Sequence, residues 1–68
     1  MPWTESYFPP SMVNLAPIVR GKAIEIANAL LAEGYEEGRA IRIAIAQAKR
    51  WANRRLLETR TTAGAPYR

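Results

Sequence analysis

The residues of this sequence that could do acid–base or metal chemistry are glutamates, and three of them lie close together at Glu33, Glu36 and Glu37. Clustered carboxylates can hold a divalent cation, and paired carboxylates can exchange protons with a substrate. The alternating acidic pattern of a calcium-binding loop is missing from residues 33 to 38. A plainer interpretation is that Glu36 and Glu37 stabilise the start of a helix, where the dipole favours negative charge. We therefore expect no bound metal and no cofactor.

Nucleophilic catalysis lacks its usual residues. The chain has no His and no Cys, so its serines and threonines have no imidazole to activate them. Lys22 and Lys49 fall on the polar faces of predicted helices, not in the apolar pockets that activate lysine amines. Gly34 and Gly38 flank carboxylates, which would repel a phosphate group. We therefore predict that the protein is not an enzyme and has no small-molecule substrate.

Basic residues of the predicted second helix form the other candidate site. Most of them share the side of the helical wheel opposite to Ala44 and Ala48, and one extends the charge. They are Arg39, Arg42, Lys49, Arg50 and Arg54. A basic helix face can neutralise phosphates without reading a sequence, so these residues are a possible nucleic-acid or anion surface. The alternative is that they keep the helix solvated and favour its C-terminal end.

Size and composition define the class of protein. A chain of 68 residues has room for one small domain, and a secreted domain of this size would ordinarily carry disulfides, for which no cysteine is present. Residues 1 to 5 lack the basic and then apolar pattern of a signal peptide. No segment approaches the roughly 20 apolar residues of a membrane span. We expect a soluble cytoplasmic protein that makes no membrane contact.

Two amphipathic segments predict an all-α fold, an antiparallel helical hairpin. The first helix should span about residues 17 to 33, because Pro17 suits the first helical position and Gly34 suits the left-handed turn after the last. The second should span about residues 36 to 58, a stretch rich in alanine at helical spacing. The short connection between them predicts that the helices pack side by side.

The segment before the hairpin and the segment after it differ in character. Residues 1 to 17 carry four of the five prolines and several aromatic residues, which predicts an extended apolar arm packed across the helices. Residues 59 to 68 show no periodicity and are basic, which predicts a flexible tail. We therefore expect one domain over residues 1 to 58 followed by this tail.

The predicted core pairs large side chains of the first helix with small ones of the second. Its members are Val19, Ala23, Ile26, Leu30, Ala44, Ala48 and Trp51. Trp51 shares a face with Ala44 and Ala48, so we predict that it anchors the core and contacts the arm. Gly21 lies inside the first helix, where glycine is costly, which indicates close approach of the arm.

Four stretches of the chain match a recurring pattern. They are Tyr7-Phe8-Pro9, Arg20 to Leu31, Glu33 to Ile41 and Ala48 to Ala52. On the motifs R-x-K-A-I-E-I-A-N-A-L-L, E-G-Y-x-E-G-R-A-I and A-K-x-W-A, the chain resembles a family of small uncharacterised bacterial helical proteins. The resemblance implies a helical fold and no particular activity. The alanine-rich second helix ending near a tryptophan is also faintly similar to ChaB-like proteins, described as cation transport regulators, a role we do not carry over.

Two functions remain open on these grounds. The favoured one is an interaction or accessory protein that uses the arm, a face of the hairpin or self-association to meet a protein partner. The alternative is non-specific binding of nucleic acid through the basic side of the second helix and the basic tail.

Overall fold

The computed structural model describes the backbone of residues 2 to 64 and the side chains of residues 2 to 55. A short 3₁₀ helix at Pro10–Met12 precedes two long helices, α1 at Pro17–Ala32 and α2 at Glu37–Gly64. The described residues contain no β-strand, and one isolated bridge pairs Thr4 with Tyr7. The helices α1 and α2 pack against each other, which confirms the predicted all-α helical hairpin.

The helix α1 has the start and the end that its sequence indicates. Pro17 occupies the first turn, where its missing N–H needs no partner. Past the last residue, Gly34 has a φ of 101°, in the left-handed region that glycine tolerates. The N–H of Gly34 donates to the carbonyl of Leu31 at 3.0 Å, and the N–H of Tyr35 donates to that of Leu30 at 3.1 Å. These paired bonds form a Schellman motif, which stops the helix and turns the chain back.

The helix α2 runs further than its sequence pattern predicts. It continues to Gly64, beyond the predicted end at residue 58, so the predicted start of a flexible tail at residue 59 falls within helical backbone. No proline or glycine interrupts the chain from Arg39 to Ala63, and an established helix propagates until such a residue stops it. The remainder of the predicted tail, residues 65 to 68, lies outside the described residues.

Alanines form the contact between the two helices. Ala23 and Ala27 on α1, and Ala40, Ala44 and Ala48 on α2, have no exposed surface at all. Small side chains in register let two helices approach closely. The larger predicted core residues Val19, Ile26, Leu30 and Trp51 are only half-buried.

The arm, residues 2 to 16, supplies the large side chains that two alanine-faced helices lack. Met12 is fully buried and Trp3 is 6% exposed, and both belong to the same cluster as the interhelical alanines. Phe8 and Leu15 pack against that cluster from its edge. The tryptophan that anchors the core is therefore Trp3 of the arm. Trp51, which the sequence favoured for this role, lies outside the cluster among the described residues.

A buried asparagine on α1 holds the arm by its backbone. Asn28 is 7% exposed, and its side chain bonds to Trp3 in both directions. The amide nitrogen of Asn28 donates to the Trp3 carbonyl at 2.9 Å, and the Trp3 N–H donates to Oδ1 of Asn28 at 3.2 Å. Trp3 belongs to no helix or strand, so its backbone has no regular hydrogen-bond partner. The carboxamide of Asn28 pairs with both its N–H and its C=O, as a neighbouring strand would.

An arginine two turns earlier on α1 holds the other part of the arm. The guanidinium of Arg20 donates to the carbonyl of Met12 at 3.3 Å and to that of Leu15 at 2.9 Å. It also lies over the ring of Phe8, with Cζ 4.8 Å from the ring centre. The Met12 carbonyl also accepts from the N–H of Leu15 at 3.1 Å, so Arg20 adds a second hydrogen bond to the turn that follows the 3₁₀ helix.

The Asn28→Ala substitution should loosen the arm and destabilise the fold by roughly 1–3 kcal/mol. It removes the side chain that bonds to the buried N–H and C=O of Trp3. Urea unfolding followed by circular dichroism measures the change. The matched control is Asn53→Ala, an exposed asparagine on α2, which should shift the free energy of unfolding by no more than about 0.5 kcal/mol. Equal midpoints for the two variants would contradict the role assigned to Asn28.

Candidate interaction surface

The hairpin has two sides, and the arm covers one of them. A rotation of about 100° per residue carries Ile24, Asn28 and Leu31 of α1 to the side on which Trp3 lies. On α2 the same rotation carries Ile41 and Ile45 to that side. Ile24, Leu31, Ile41 and Ile45 belong to, or pack against, the core cluster that contains Trp3 and Met12. Val19 and Ile26 also pack against this cluster, from other positions of the α1 helical wheel.

The opposite side of the hairpin carries a second row of apolar side chains, which we name the open face. Its members are Val19, Ile26, Leu30, Ile43 and Trp51, all of them half-buried. They lie at the helical positions next to the interhelical alanines but on the side away from Trp3. The contact between Lys22 and Trp51 joins the two helices on this side. No residue of the described arm belongs to this row.

Trp51 lies at one end of the open face between cations. The ammonium nitrogen of Lys22 is 5.2 Å from the centre of the ring, and Cζ of Arg55 is also at 5.2 Å. Both distances are within the range of cation–π attraction. The ammonium nitrogen of Lys22 also forms an ion pair with Glu25 at 3.2 Å, so this side chain has two contacts. Charged side chains therefore lie against the half-buried ring of Trp51.

The five predicted basic residues are all exposed, and they lie at different places along and around α2. Arg50 and Arg54 line an open cleft of about 210 Å³ beside Trp51, together with Gln47. Arg39 lies near the other end of the hairpin, with Cζ 5.7 Å from the centre of the Tyr35 ring.

Arg42 and Lys49 lie further round α2, away from the open face. The predicted basic surface thus divides into a part beside Trp51, a part at the turn and a part on the outer side of α2.

The carboxylates at the turn are also exposed. Glu33 and Glu36 line an open cleft of about 380 Å³ with Tyr35 and Arg39. Among the side chains that the structure describes, no three carboxylates come together as metal ligands. A third, larger groove of about 600 Å³ runs along the outer edge of α1 beside Pro2.

Sequence patterns did not identify the residues that hold the arm. Asn28 falls between apolar positions of α1, and no role is predicted for it from the sequence. The available signal was its spacing from Arg20 and Ile24, since residues four apart on a helix form one stripe. A polar residue at each end of such a stripe, beside an arm rich in proline, is typical of a helix that binds a non-helical segment.

Comparison with known proteins gives one relative and no assigned activity. The chain is similar to the uncharacterized protein YdaT of Bacillus subtilis (strain 168). The two are 60% identical over 52 residues, which cover 76% of this chain and 35% of that protein. The chain thus spans about a third of the length of the curated relative it matches. This similarity supports the resemblance to uncharacterised bacterial proteins, while the ChaB-like similarity stays a prediction.

No family model matches the chain, and no solved structure matches it. Within the residues that the structure describes, neither helix combines the length and the apolar character that crossing a membrane requires.

Replacing each tryptophan by alanine should distinguish their roles. Trp3→Ala should cost roughly 3–5 kcal/mol of stability, because it empties a buried site. Trp51→Ala should cost less, since the ring is half-exposed and outside the core cluster. Urea unfolding followed by circular dichroism compares the two without relying on indole fluorescence. A larger loss for Trp51→Ala would restore the sequence-based assignment of the core anchor.

Proposed function

We propose that this chain is a non-catalytic interaction or accessory module that binds a protein partner through the open face. The observation that carries the proposal is the row of half-buried apolar side chains on the side of the hairpin that the arm leaves uncovered. A two-helix layer buries its apolar surface fully only when both of its sides are packed. A third element from another chain would complete the layer.

The composition of the open face fits a binding surface. Trp51 lies within a group of arginines, and tryptophan and arginine are the side chains that most often dominate binding energy at protein interfaces. Ile26, Leu30 and Ile43 are apolar, and the cations lie beside Trp51 at one end of the row. Apolar residues bordered by polar ones are the usual anatomy of a protein interface.

The absence of catalysis is part of the same proposal. It is supported by the lack of His and Cys and by the exposure of Glu33, Glu36 and Glu37, which lie in solvent and not in an apolar pocket. A cytoplasmic location belongs to the proposal too, because a small domain without cysteine is unlike secreted domains of its size.

The similarity to YdaT supports a modular role. The matched segment makes up 35% of that protein, so a sequence of this kind occurs joined to a longer chain. The hairpin described here has its own core and its own arm, as a module that is joined to other segments requires.

A photo-crosslinking amino acid at position 43, in place of Ile43, should capture a discrete protein partner in cells, because this position lies at the centre of the open face. The matched control is the same amino acid in place of Ala46, an exposed residue on the outer side of α2. A captured product of twice the mass of the chain would identify self-association. Equal capture from the two positions, or capture from position 46 only, would contradict the proposal.

Non-specific nucleic-acid binding is the second candidate, and one observation favours it. Arg50 and Arg54 lie beside a half-exposed tryptophan, and basic residues next to an aromatic ring can bind single-stranded nucleic acid. Arg42 and Lys49 are separated from that cleft, so few phosphates could be neutralised together. This separation argues against nucleic-acid binding as the function.

We therefore expect feeble binding of duplex or single-stranded oligonucleotides, no stronger than that of an unstructured peptide of equal charge. Titration at several salt concentrations measures it, because each neutralised phosphate adds to the salt dependence. Tight binding that weakens steeply with salt, and that is lost when Arg42 and Lys49 are both changed to glutamate, would instead establish nucleic acid as the ligand. Reversal of these exposed charges should leave stability almost unchanged.

A further inference from the structure

We infer that the occupant of the open face is an acidic amphipathic helix of a protein partner, with carboxylates placed over the cations around Trp51. This inference rests on the proposed function and names the chemistry of the partner. It follows from the dimensions of the open face, from its apolar centre and from the distribution of charge along it.

The length of the open face suits a helix of about three turns. Along α1 it extends from Val19 to Leu30, which at 1.5 Å per residue is about 16 Å. Along α2 it extends from Ile43 to Trp51, which is about 12 Å. Two antiparallel helices leave a groove between them, and a helix with apolar residues at successive turns can lie in such a groove.

The charges of the open face are concentrated at the Trp51 end. Four cations lie around or beside Trp51, namely Lys22, Arg50, Arg54 and Arg55. The carboxylate of Glu25 forms an ion pair with Lys22. At the turn, by contrast, carboxylates adjoin Arg39. A partner that carries carboxylates at one end of its apolar stripe would match this distribution, and a basic partner would be repelled.

The apolar centre favours a protein helix over a nucleic acid. Val19, Ile26, Leu30 and Ile43 carry neither a charge for phosphates nor a ring on which a base could stack. Contact with them stabilises only a ligand that has apolar surface of its own. The cations at one end then select among such ligands by charge.

The experiment uses the full chain, labelled with ¹⁵N, and three synthetic amphipathic peptides that share one leucine stripe. Their polar positions at one end carry glutamate, glutamine or lysine. Each peptide needs at least about 16 residues, because shorter isolated helices are marginal in water. We expect the glutamate peptide to bind most tightly and to shift the resonances of Val19, Ile26, Ile43 and the Trp51 indole.

A pair of charge reversals tests the position of the carboxylates. Arg50→Glu should weaken binding of the glutamate peptide by roughly 1.4- to fivefold and strengthen binding of the lysine peptide, because an exposed ion pair of this kind contributes about 0.2–1 kcal/mol. Arg42→Glu removes the same charge from the outer side of the same helix and should change neither affinity. Both residues are exposed, so neither substitution should affect folding.

Each other outcome overturns the inference in a recognisable way. Equal affinity for the glutamate and glutamine peptides would refute the selection by charge and leave the proposed function intact. Equal weakening by Arg42→Glu and Arg50→Glu would mean general attraction between opposite charges. Tighter binding of a single-stranded oligonucleotide at the same resonances would assign the cations to phosphates. If no peptide shifts the open face, the inference fails, and crosslinking from position 43 still tests the proposed function separately.

Discussion

Two hydrogen bonds between the Asn28 side chain and the backbone of Trp3 are the constraint on which the fold depends. Two helices that meet through alanines cannot bury enough apolar surface alone, so a segment with large side chains must cover them. The arm provides Trp3, but its backbone belongs to no helix or sheet, and burying unpaired N–H and C=O groups is costly. Asn28, which is 25 residues away in the sequence, bonds to both the N–H and the C=O of Trp3. The indole can be buried because the backbone beside it has partners.

The position of the arm also determines which side of the hairpin stays uncovered. Arg20, Ile24 and Asn28 form one stripe along α1, and the two polar members bind carbonyls of the arm while Ile24 packs beneath it. The arm is thereby confined to one side of the helix pair. By the helical rotation, Ile26 and Leu30 fall on the other side of the same helix, and Ile43 falls on that side of α2. The proposed binding surface is thus the side of the helix pair that lies opposite to the arm.

The sequence predicts the helices well because their signals are local. Pro17, Gly34 and the alanine spacing act within one or two turns, and three of the four helix bounds follow from them to within one residue. The exception is the end of α2, which continues past residue 58 to Gly64. The partner of the arm could not be predicted in the same way, since nothing local distinguishes Asn28 from a solvated asparagine when its partner is 25 residues away. Likewise, Trp51 has the helical phase of a core residue, but it lies near the end of the helix pair where Arg55 and Lys22 replace apolar neighbours. Phase indicates a direction on a helix, whereas burial depends on what lies in that direction.

The cations around Trp51 contribute differently in the isolated chain and in the proposed complex. In the isolated chain the contacts with Lys22 and Arg55 are worth about 0.5–1 kcal/mol each at an exposed site, too little to explain a tryptophan there by stability. The same contacts strengthen when water is removed, as does any attraction between these cations and a carboxylate. A helix lying over Ile26 and Ile43 would remove that water while burying the exposed half of the indole. In the proposed complex, the interaction energy at this end of the open face would therefore be realised mainly on binding.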